Sequence, residues 1–319
     1  MLRVIKPGLQ STLQGAPRIG DRHFGVPASG PADALSMALA NRLVGNAPWD
    51  TCLEITYGGF EASIEEDCSL AIAGAASEVR AAGRPLPAHE TLHLKAGRGL
   101  SVPPFKRGAR AYLAVRSGFR AQKAFGSTST YLPAGLGGYR GRALKTGDVL
   151  EAAGDPRSDQ ILATPERLRP SFTGSFALRA CESAEFQMLD ESSQHALFRN
   201  RFIAGRQATR MGVALTGPTL ELHSDGMMKS APVFPGTIQC PESGTPIVLL
   251  CDAQTTGGYP RIAHIARCDR HLLGQIHPGD AITLLRRTPE DAARALIEKE
   301  AYFQDWLDMV PAEGPPVLH

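Results

Sequence analysis

Residues 246–263 read PIVLLCDAQTTGGYPRIA, an apolar run followed by polar residues and a glycine pair. The run from Ile247 to Leu250 predicts a buried strand, and Gly257 with Gly258 predicts a turn. Four further segments bounded by glycine or proline carry a strand pattern, at 69–74, 91–94, 109–115 and 281–285. The chain is therefore predicted to be mostly β.

The same order of elements occurs twice along the chain. Strand 109–115 is followed by a glycine-rich stretch and a Gly-Asp turn at 145–149. Strand 246–250 is likewise followed by a glycine-rich stretch and a Gly-Asp turn at 277–281. This order predicts two related folds. Coincidence is the alternative, because Gly-Asp turns are common in all-β proteins.

The length of the chain predicts two domains, since 319 residues exceed the usual size of one. The polar stretch at 153–159 is the natural linker. We therefore predict a β-rich N-terminal domain at 1–155 and a β-rich C-terminal domain at 156–319 that ends in a helix.

Helical periodicity occurs in three segments, at 31–44, around 192–202, and after Thr288. The first has leucines on one stripe and a glycine after its last residue, and the third has Thr288 as its cap and a one-sided apolar pattern. A few helices are therefore expected beside the sheets.

Charge and cysteine usage exclude several classes of protein. The net charge of +2 with interspersed signs gives no reason to expect nucleic acid as a partner. No apolar run approaches the roughly 20 residues that cross a bilayer, so we expect no membrane segment and a cytoplasmic protein. The six cysteines have no C-x-x-C spacing, which predicts free, buried thiols.

Residues 89–93 read HETLH and match the H-E-x-x-H pattern of zinc peptidases. That chemistry requires both histidines on one face of a helix. Prolines precede the match, glycines follow it, and the end of the match alternates as a strand does. We expect no metal site here.

Lys229 follows two methionines and so resembles a biotin-attachment lysine. Such a lysine requires a small dedicated β domain that presents it on a tight turn. A solvated loop lysine is the better interpretation of Lys229, and no covalently attached biotin is expected on this chain.

Several blocks resemble a carboxyltransferase-like family that includes the C subunit of bacterial 5-oxoprolinase, urea carboxylase and the second subunit of allophanate hydrolase. The blocks are 25–33, 40–46, 53–56, 126–130, 135–144 and 246–263. The last block is highly specific. Two segments depart from the family pattern. Residues 207–212 lack the usual polar pair before Arg-Met-Gly, and 224–235 is longer than usual.

The resemblance implies two mostly β domains with cyclophilin-like β-barrels. It implies ATP-dependent opening of 5-oxoproline, a lactam, to glutamate together with 5-oxoprolinase subunits A and B. ATP would bind mainly on a partner subunit, because this chain has no Walker-type lysine loop. Two alternatives remain in the family: carboxyl transfer to urea or a similar amide from carboxybiotin on another chain, and a non-catalytic antagonist of a kinase-inhibiting partner.

The predicted site centres on the block that contains the glycine pair. Gln254, Thr255 and Thr256 offer amide and hydroxyl groups and are the predicted catalytic residues. Four further residues of the block are predicted to bind substrate: Gly257, Gly258, Tyr259 and Arg261. The alternative is a tight turn with exposed polar side chains.

Four residues elsewhere complete the predicted site. Arg210 is predicted to bind an anionic group. Ser29 and Asp33 are predicted either to cap the first helix or to place its N-terminus against an anion. Glu54 is predicted to be a base or to form an exposed salt bridge.

Overall fold

The structure is a computed structural model that describes residues 1–76, 79–223 and 228–307. It divides into two compact units. The first contains the described residues of 1–18, 29–172 and 303–307, and the second contains those of 19–28 and 173–302. The chain thus enters the second unit at Thr173, and a short early segment also belongs to that unit.

The first unit contains one α-helix, α1 (Ala34–Leu43), and eleven strands in its described residues. The strands are β1 (Leu2–Pro7), β2 (Gln10–Gln14), β3 (Cys52–Thr56), β4 (Phe60–Ile64), β5 (Cys68–Gly74), β6 (Val79–Ala81), β7 (Arg84–Leu86), β8 (Leu92–Leu94), β9 (Gly99–Val102), β10 (Arg110–Val115) and β11 (Val149–Leu150).

Two antiparallel sheets build this unit, in the orders β11-β1-β4-β9-β6-β7 and β2-β3-β10-β5-β8. Val4 and Phe60 from the first sheet pack in one apolar cluster with Leu53 and Leu113 from the second. All four side chains are fully buried, so the core lies between the two sheets.

The second unit contains α2 (Glu191–Arg199), most of α3 (Pro289–Leu307) and nine strands in its described residues. The strands are β12 (Ser175–Glu182), β13 (Arg201–Ala204), β14 (Gly212–Thr216), β15 (Ala231–Pro232), β16 (Thr237–Gln239), β17 (Ile247–Leu249), β18 (Thr256–Gly257), β19 (Arg261–Ile265) and β20 (Ala281–Arg286).

Seven of these strands close a barrel in the order β12-β19-β16-β17-β14-β13-β20. Strand β12 shows why the sequence forms it: Phe176, Leu178 and Ala180 alternate inward and are buried. β12 and β20 run parallel, whereas the other barrel neighbours run antiparallel. The predicted mostly β fold with a few helices is confirmed.

The predicted helices and strands agree with the structure apart from one segment. The helix expected around 192–202 ends at Arg199, and 201–204 is strand β13. The prediction was wrong there because Phe202 and Ala204 point into the barrel, where β13 pairs with β20. Tertiary pairing overrides local helix propensity in this segment. The third helix begins after Thr288, whose Oγ1 accepts from the Asp291 N–H at 3.2 Å, as predicted.

The two Gly-Asp turns have the same hydrogen bonds. The Asp148 carboxylate accepts from the Lys145 N–H at 2.7 Å, and the Asp280 carboxylate accepts from the His277 N–H at 2.7 Å. Gly147 and Gly279 have φ of 90° and 89°, which favours glycine. Each turn leads into a strand of its own unit, β11 in the first and β20 in the second, while the relationship between the two folds stays a prediction.

The described helices include none that is long and apolar enough to cross a membrane. All six cysteines are free. Four are buried, and Cys181 and Cys251 are partly exposed.

Candidate functional site

The predicted loop lies between β17 and β19 in the second unit. It contains the short strand β18, which pairs with β15 through Thr256 opposite Pro232 and Gly257 opposite Ala231. Gln254, Thr256 and Tyr259 are exposed, whereas Thr255 is partly exposed. The loop therefore holds amide, hydroxyl and phenol groups at the surface of the second unit.

A buried glutamine that was not predicted from the sequence supports this loop from behind. Gln239, on β16, donates from Nε2 to the Tyr259 carbonyl at 3.1 Å and accepts from Gln254 Nε2 at 3.3 Å. Only 2% of Gln239 is exposed. A single polar residue at the end of a three-residue strand gives no sequence signal of such a role.

The glycine pair is required by close approach of neighbouring groups. A Cβ at Gly257 would lie 2.6 Å from Gln239 Nε2, and a Cβ at Gly258 would lie 3.1 Å from the Met228 carbonyl oxygen. The Met228 N–H donates to the Gly258 carbonyl at 2.9 Å. A side chain at Gly257 would displace the Gln239 amide, and one at Gly258 would force a shift of a few tenths of an ångström against the Met228 carbonyl.

The segment 224–235, which departs from the family pattern, therefore lies beside this pair through its described residues. Its residues 224–227 lie outside the described part of the chain. Lys229 is exposed, as a solvated loop lysine is.

Arg261 is held by a carboxylate of its own unit. Its Nε and Nη2 donate to the two carboxylate oxygens of Glu185 at 2.7 and 2.5 Å, and its Nη1 donates to the Pro232 carbonyl at 3.1 Å. The hydrogen bond from Arg261 lowers the pKa of Glu185 and raises that of Arg261. The fork predicted for a substrate anion is occupied by Glu185.

Arg210 is paired in the same manner but is deeply buried. Its Nε donates to one Asp252 oxygen at 2.7 Å and its Nη2 to the other at 3.2 Å, with 4% of each side chain exposed. The Asp252 N–H also donates to the Arg210 carbonyl at 2.9 Å. This ion pair fixes the start of the predicted loop.

A third arginine, Arg22, reaches the same loop from the segment 19–28. Its Nη2 donates to the Val233 carbonyl and lies 3.5 Å from the Thr255 carbonyl oxygen. Its guanidinium lies 4.7 Å from the centre of the Phe234 ring. Burial lowers its pKa. The sequence could not indicate this residue, because its contacts lie more than two hundred positions away.

Glu54, in the first unit, is the centre of a buried polar cluster. It is completely buried and accepts from the Ala32 N–H at 2.9 Å and the Tyr112 hydroxyl at 2.7 Å. Its other oxygen lies 3.5 Å from Arg110 Nε. The predicted exposed salt bridge is wrong in its exposure, because Glu54 points to the face of β3 opposite the core between the two sheets, and α1 packs on that face.

Asp33 caps α1, which is one of the two predicted roles. Its carboxylate accepts from the Ser36 N–H at 2.9 Å, and its own N–H donates to the Tyr112 hydroxyl at 2.8 Å. Ser29 is not the cap. It is buried with φ of 55°, and its hydroxyl has no hydrogen-bond partner among the described residues.

The H-E-x-x-H match does not form a helix. His89 has φ of 62°, and Leu92–Leu94 is strand β8. His93 Nδ1 lies 2.9 Å from the Ser69 hydroxyl, while burial lowers the pKa of His89 to about 4. The described residues contain no group of three or more His, Cys, Asp or Glu side chains that could hold a metal ion.

The predicted site residues thus fall into two sets. The first unit holds Ser29, Asp33 and Glu54, and the second unit holds Arg210, Gln254, Thr255, Thr256, Gly257, Gly258, Tyr259 and Arg261. Together the barrel and its polar loop define a β protein that can offer amide, hydroxyl and backbone groups to a small ligand.

The model of a family described as carboxyltransferase domain, subdomain A and B, matches residues 24–286. The chain belongs to this family. It is 36% identical over 304 residues to the C subunit of 5-oxoprolinase from Escherichia coli K12, covering 95% of this chain and 97% of that protein. It is 34% identical to the C subunit of 5-oxoprolinase from Haemophilus influenzae, covering 95% and 96%.

A solved structure supports the fold. The crystal structure of urea amidolyase from K. lactis superimposes with a TM-score of 0.89 at 26% identity, covering 96% of this chain. This chain corresponds to 20% of the amidolyase chain. The predicted relationship to urea carboxylase and to the C subunit of 5-oxoprolinase is confirmed.

Proposed function

We propose that the chain is a subunit of an ATP-dependent 5-oxoprolinase, which opens 5-oxoproline to glutamate in a complex with subunits A and B. One observation carries this proposal: the match to the C subunit of the E. coli 5-oxoprolinase extends over 95% of this chain and 97% of that protein. The identity is therefore not confined to a shared β module.

The chemistry explains why ATP is needed. An unstrained lactam resists water, but transfer of the γ-phosphoryl group to its oxygen, with release of ADP, activates the ring carbon. Water then adds to that carbon and the C–N bond breaks, with the nitrogen taking a proton. The acyl phosphate that results is hydrolysed to glutamate and phosphate. ATP binds mainly on a partner subunit in this proposal.

The polar loop supplies groups suited to the lactam. Gln254 can donate to the lactam oxygen and accept from the lactam N–H, and the hydroxyls of Thr255 and Thr256 can steady charge as it develops. Because Gln239 holds Gln254 and the Tyr259 carbonyl from behind, the loop is organised before the ligand arrives. This preorganisation supports a catalytic role for the loop.

Reconstitution tests the proposal. Glutamate released from 5-oxoproline and ATP would be measured with the two partner subunits, with and without this chain. Activity that requires the chain supports a catalytic subunit. If the chain joins the two partner subunits in a stable complex but their glutamate release stays the same as without it, the proposal is contradicted.

A second candidate is carboxyl transfer to urea or a similar amide from carboxybiotin carried by another chain. The TM-score of 0.89 to urea amidolyase favours it. Carboxylated product formed from urea, bicarbonate, ATP and a biotin-bearing partner would support this candidate over lactam hydrolysis.

A further inference from the structure

Three arginines reach the predicted loop or its start, and they differ in their counter-charges. Arg261 is forked onto Glu185, and Arg210 is forked onto Asp252. Arg22 has no carboxylate partner among the residues that the structure describes; its Nη2 meets only backbone carbonyls. Of the three, Arg22 alone carries a positive charge that the described protein leaves unneutralised.

The Arg22 guanidinium is nevertheless held in place. The Val233 carbonyl accepts from Nη2, and the Thr255 carbonyl oxygen lies 3.5 Å from the same nitrogen. The centre of the Phe234 ring lies 4.7 Å from the guanidinium carbon. Nε and Nη1 have no hydrogen-bond partner within the described ranges. A fixed planar cation with unused N–H groups is suited to a two-oxygen anion.

Electrostatics favour an incoming anion at this place. Burial lowers the pKa of Arg22, and no acidic group of the described residues offsets that effect. A partly buried cation without a counter-charge gains more from a bound anion than a solvated one does, because water screens it less.

The position of Arg22 connects this charge to the predicted site. Its partner Thr255 lies between Gln254 and Thr256, and its other partner, Val233, donates its N–H to the same Thr255 carbonyl at 3.1 Å. We propose that Arg22 binds an oxyanion of a ligand held at the Gln254–Gly258 loop. The oxyanion is either the carboxylate of the lactam or a phosphate of the nucleotide, and the inference rests on the proposed function.

Kinetics of the assembled complex test this proposal. Arg22→Gln removes the charge and keeps an amide, and we expect the KM of one substrate to rise about 10- to 100-fold with kcat nearly unchanged. A rise for 5-oxoproline alone identifies the carboxylate, and a rise for ATP alone identifies the phosphate. Arg22→Lys keeps the charge without the fork and should give a smaller rise. Unchanged KM values for both substrates in Arg22→Gln would overturn the proposal.

Arg201→Gln is the matched control. Arg201 is an exposed arginine on β13 of the same unit, with no ion pair among the described residues, so both KM values should stay at wild-type levels. Thermal unfolding of each variant shows whether Arg22→Gln is folded.

A binding measurement keeps this inference separate from the proposed function. Calorimetric titration of the purified chain with 5-oxoproline, and separately with inorganic phosphate, requires no turnover. Binding that weakens in Arg22→Gln but not in Arg201→Gln supports the oxyanion site even if the wild-type complex releases no glutamate. Failure of the wild-type chain to bind either probe, or equal binding by both variants, would contradict it.

Discussion

The two sets of predicted site residues differ in how the protein uses their polar groups. In the first unit, Glu54 is completely buried and bonded to the Ala32 N–H and the Tyr112 hydroxyl. In the second unit, Gln254 and Thr256 are exposed, and Gln239 supports the loop from behind. A satisfied buried network stabilises a fold, whereas exposed groups on a supported loop remain available to a ligand.

The largest effect expected from this difference between the two sets of residues is a loss of stability in Glu54→Ala. Removing this carboxylate takes a buried ionic partner from Arg110 and a hydrogen-bond acceptor from the Tyr112 hydroxyl, so the free energy of unfolding should fall by about 3–5 kcal/mol. Urea unfolding of the purified variant measures this loss. Glu61→Ala, at a partly exposed position on β4, is the control and should cost far less. A stable Glu54→Ala variant that is inactive in the complex would instead make Glu54 the predicted base.

The next largest effect is expected for Gln254→Ala, which should lower the turnover of the complex. The loss of a positioned amide should lower kcat of the complex by about 100-fold. Stability should fall by no more than about 1 kcal/mol, because the side chain is exposed and makes one hydrogen bond, at 3.3 Å, to Gln239. Gln207→Ala, at another exposed glutamine of the same unit, should keep wild-type turnover. A Gln254→Ala complex that retains more than half of the wild-type kcat would remove Gln254 from the catalytic residues.

The sequence predicted local features better than contacts between distant segments. Strands such as β12 follow from alternating apolar residues, and the Thr288 cap follows from residue type and spacing. The glycine pair was predicted as a site, but its reason, contact with Gln239 and Met228, was not.

Ion pairs between residues that are distant in the sequence set the roles of Arg261 and Arg210, and the local sequence pattern does not show them. Glu185 lies seventy-six positions before Arg261, and Asp252 lies forty-two after Arg210. Nothing in the sequence around either arginine indicates its carboxylate partner, so both arginines were predicted to bind a substrate anion. Arg22 was not predicted for the same reason: its contacts are distant in the sequence, and no local pattern marks it.

A smaller effect, on the pH dependence of stability, is expected from His264. Its Nε2 lies 3.3 Å from Arg270 Nη2, which can only donate, so the ring proton is assigned to Nδ1, 3.3 Å from the Thr237 hydroxyl. Burial and, less, the charges of Arg270 and Arg267 lower its pKa from 6.5 to about 4. The unfolded chain therefore binds the proton more readily, and stability falls as pH decreases from about 6.5 towards 4.

Between pH 7.5 and 5.5, His264 should account for a loss of about 1.4 kcal/mol in the free energy of unfolding. His264→Gln keeps a donor and an acceptor but does not titrate, so urea unfolding at the two pH values should differ less than in the wild type. His195→Gln, at an exposed position on α2, should keep the wild-type pH dependence. Equal pH dependence in His264→Gln and the wild type would show that the folded chain does not hold His264 neutral.

The smallest effect is expected at Arg261, where it distinguishes a structural role of the side chain from a role in binding substrate. Its ion pair with Glu185 is partly exposed, with 23% and 14% of the two side chains accessible, so a double-mutant cycle of Arg261→Gln and Glu185→Gln should give about 0.5–1 kcal/mol of coupling. Since Arg261 lowers the pKa of Glu185, this contribution is present above the unfolded pKa of a glutamate and is lost as pH falls from there through the lower pKa of the folded state.

The two single variants in the complex then decide the role of Arg261. If Arg261 only anchors the loop, both should raise the KM for 5-oxoproline equally, because each breaks the same fork. If Arg261 also meets the substrate, Arg261→Gln should raise the KM several-fold more than Glu185→Gln, which leaves the cation in place. Equal KM values would assign Arg261 to the scaffold, alongside Arg210, and leave Arg22 as the arginine available to the ligand.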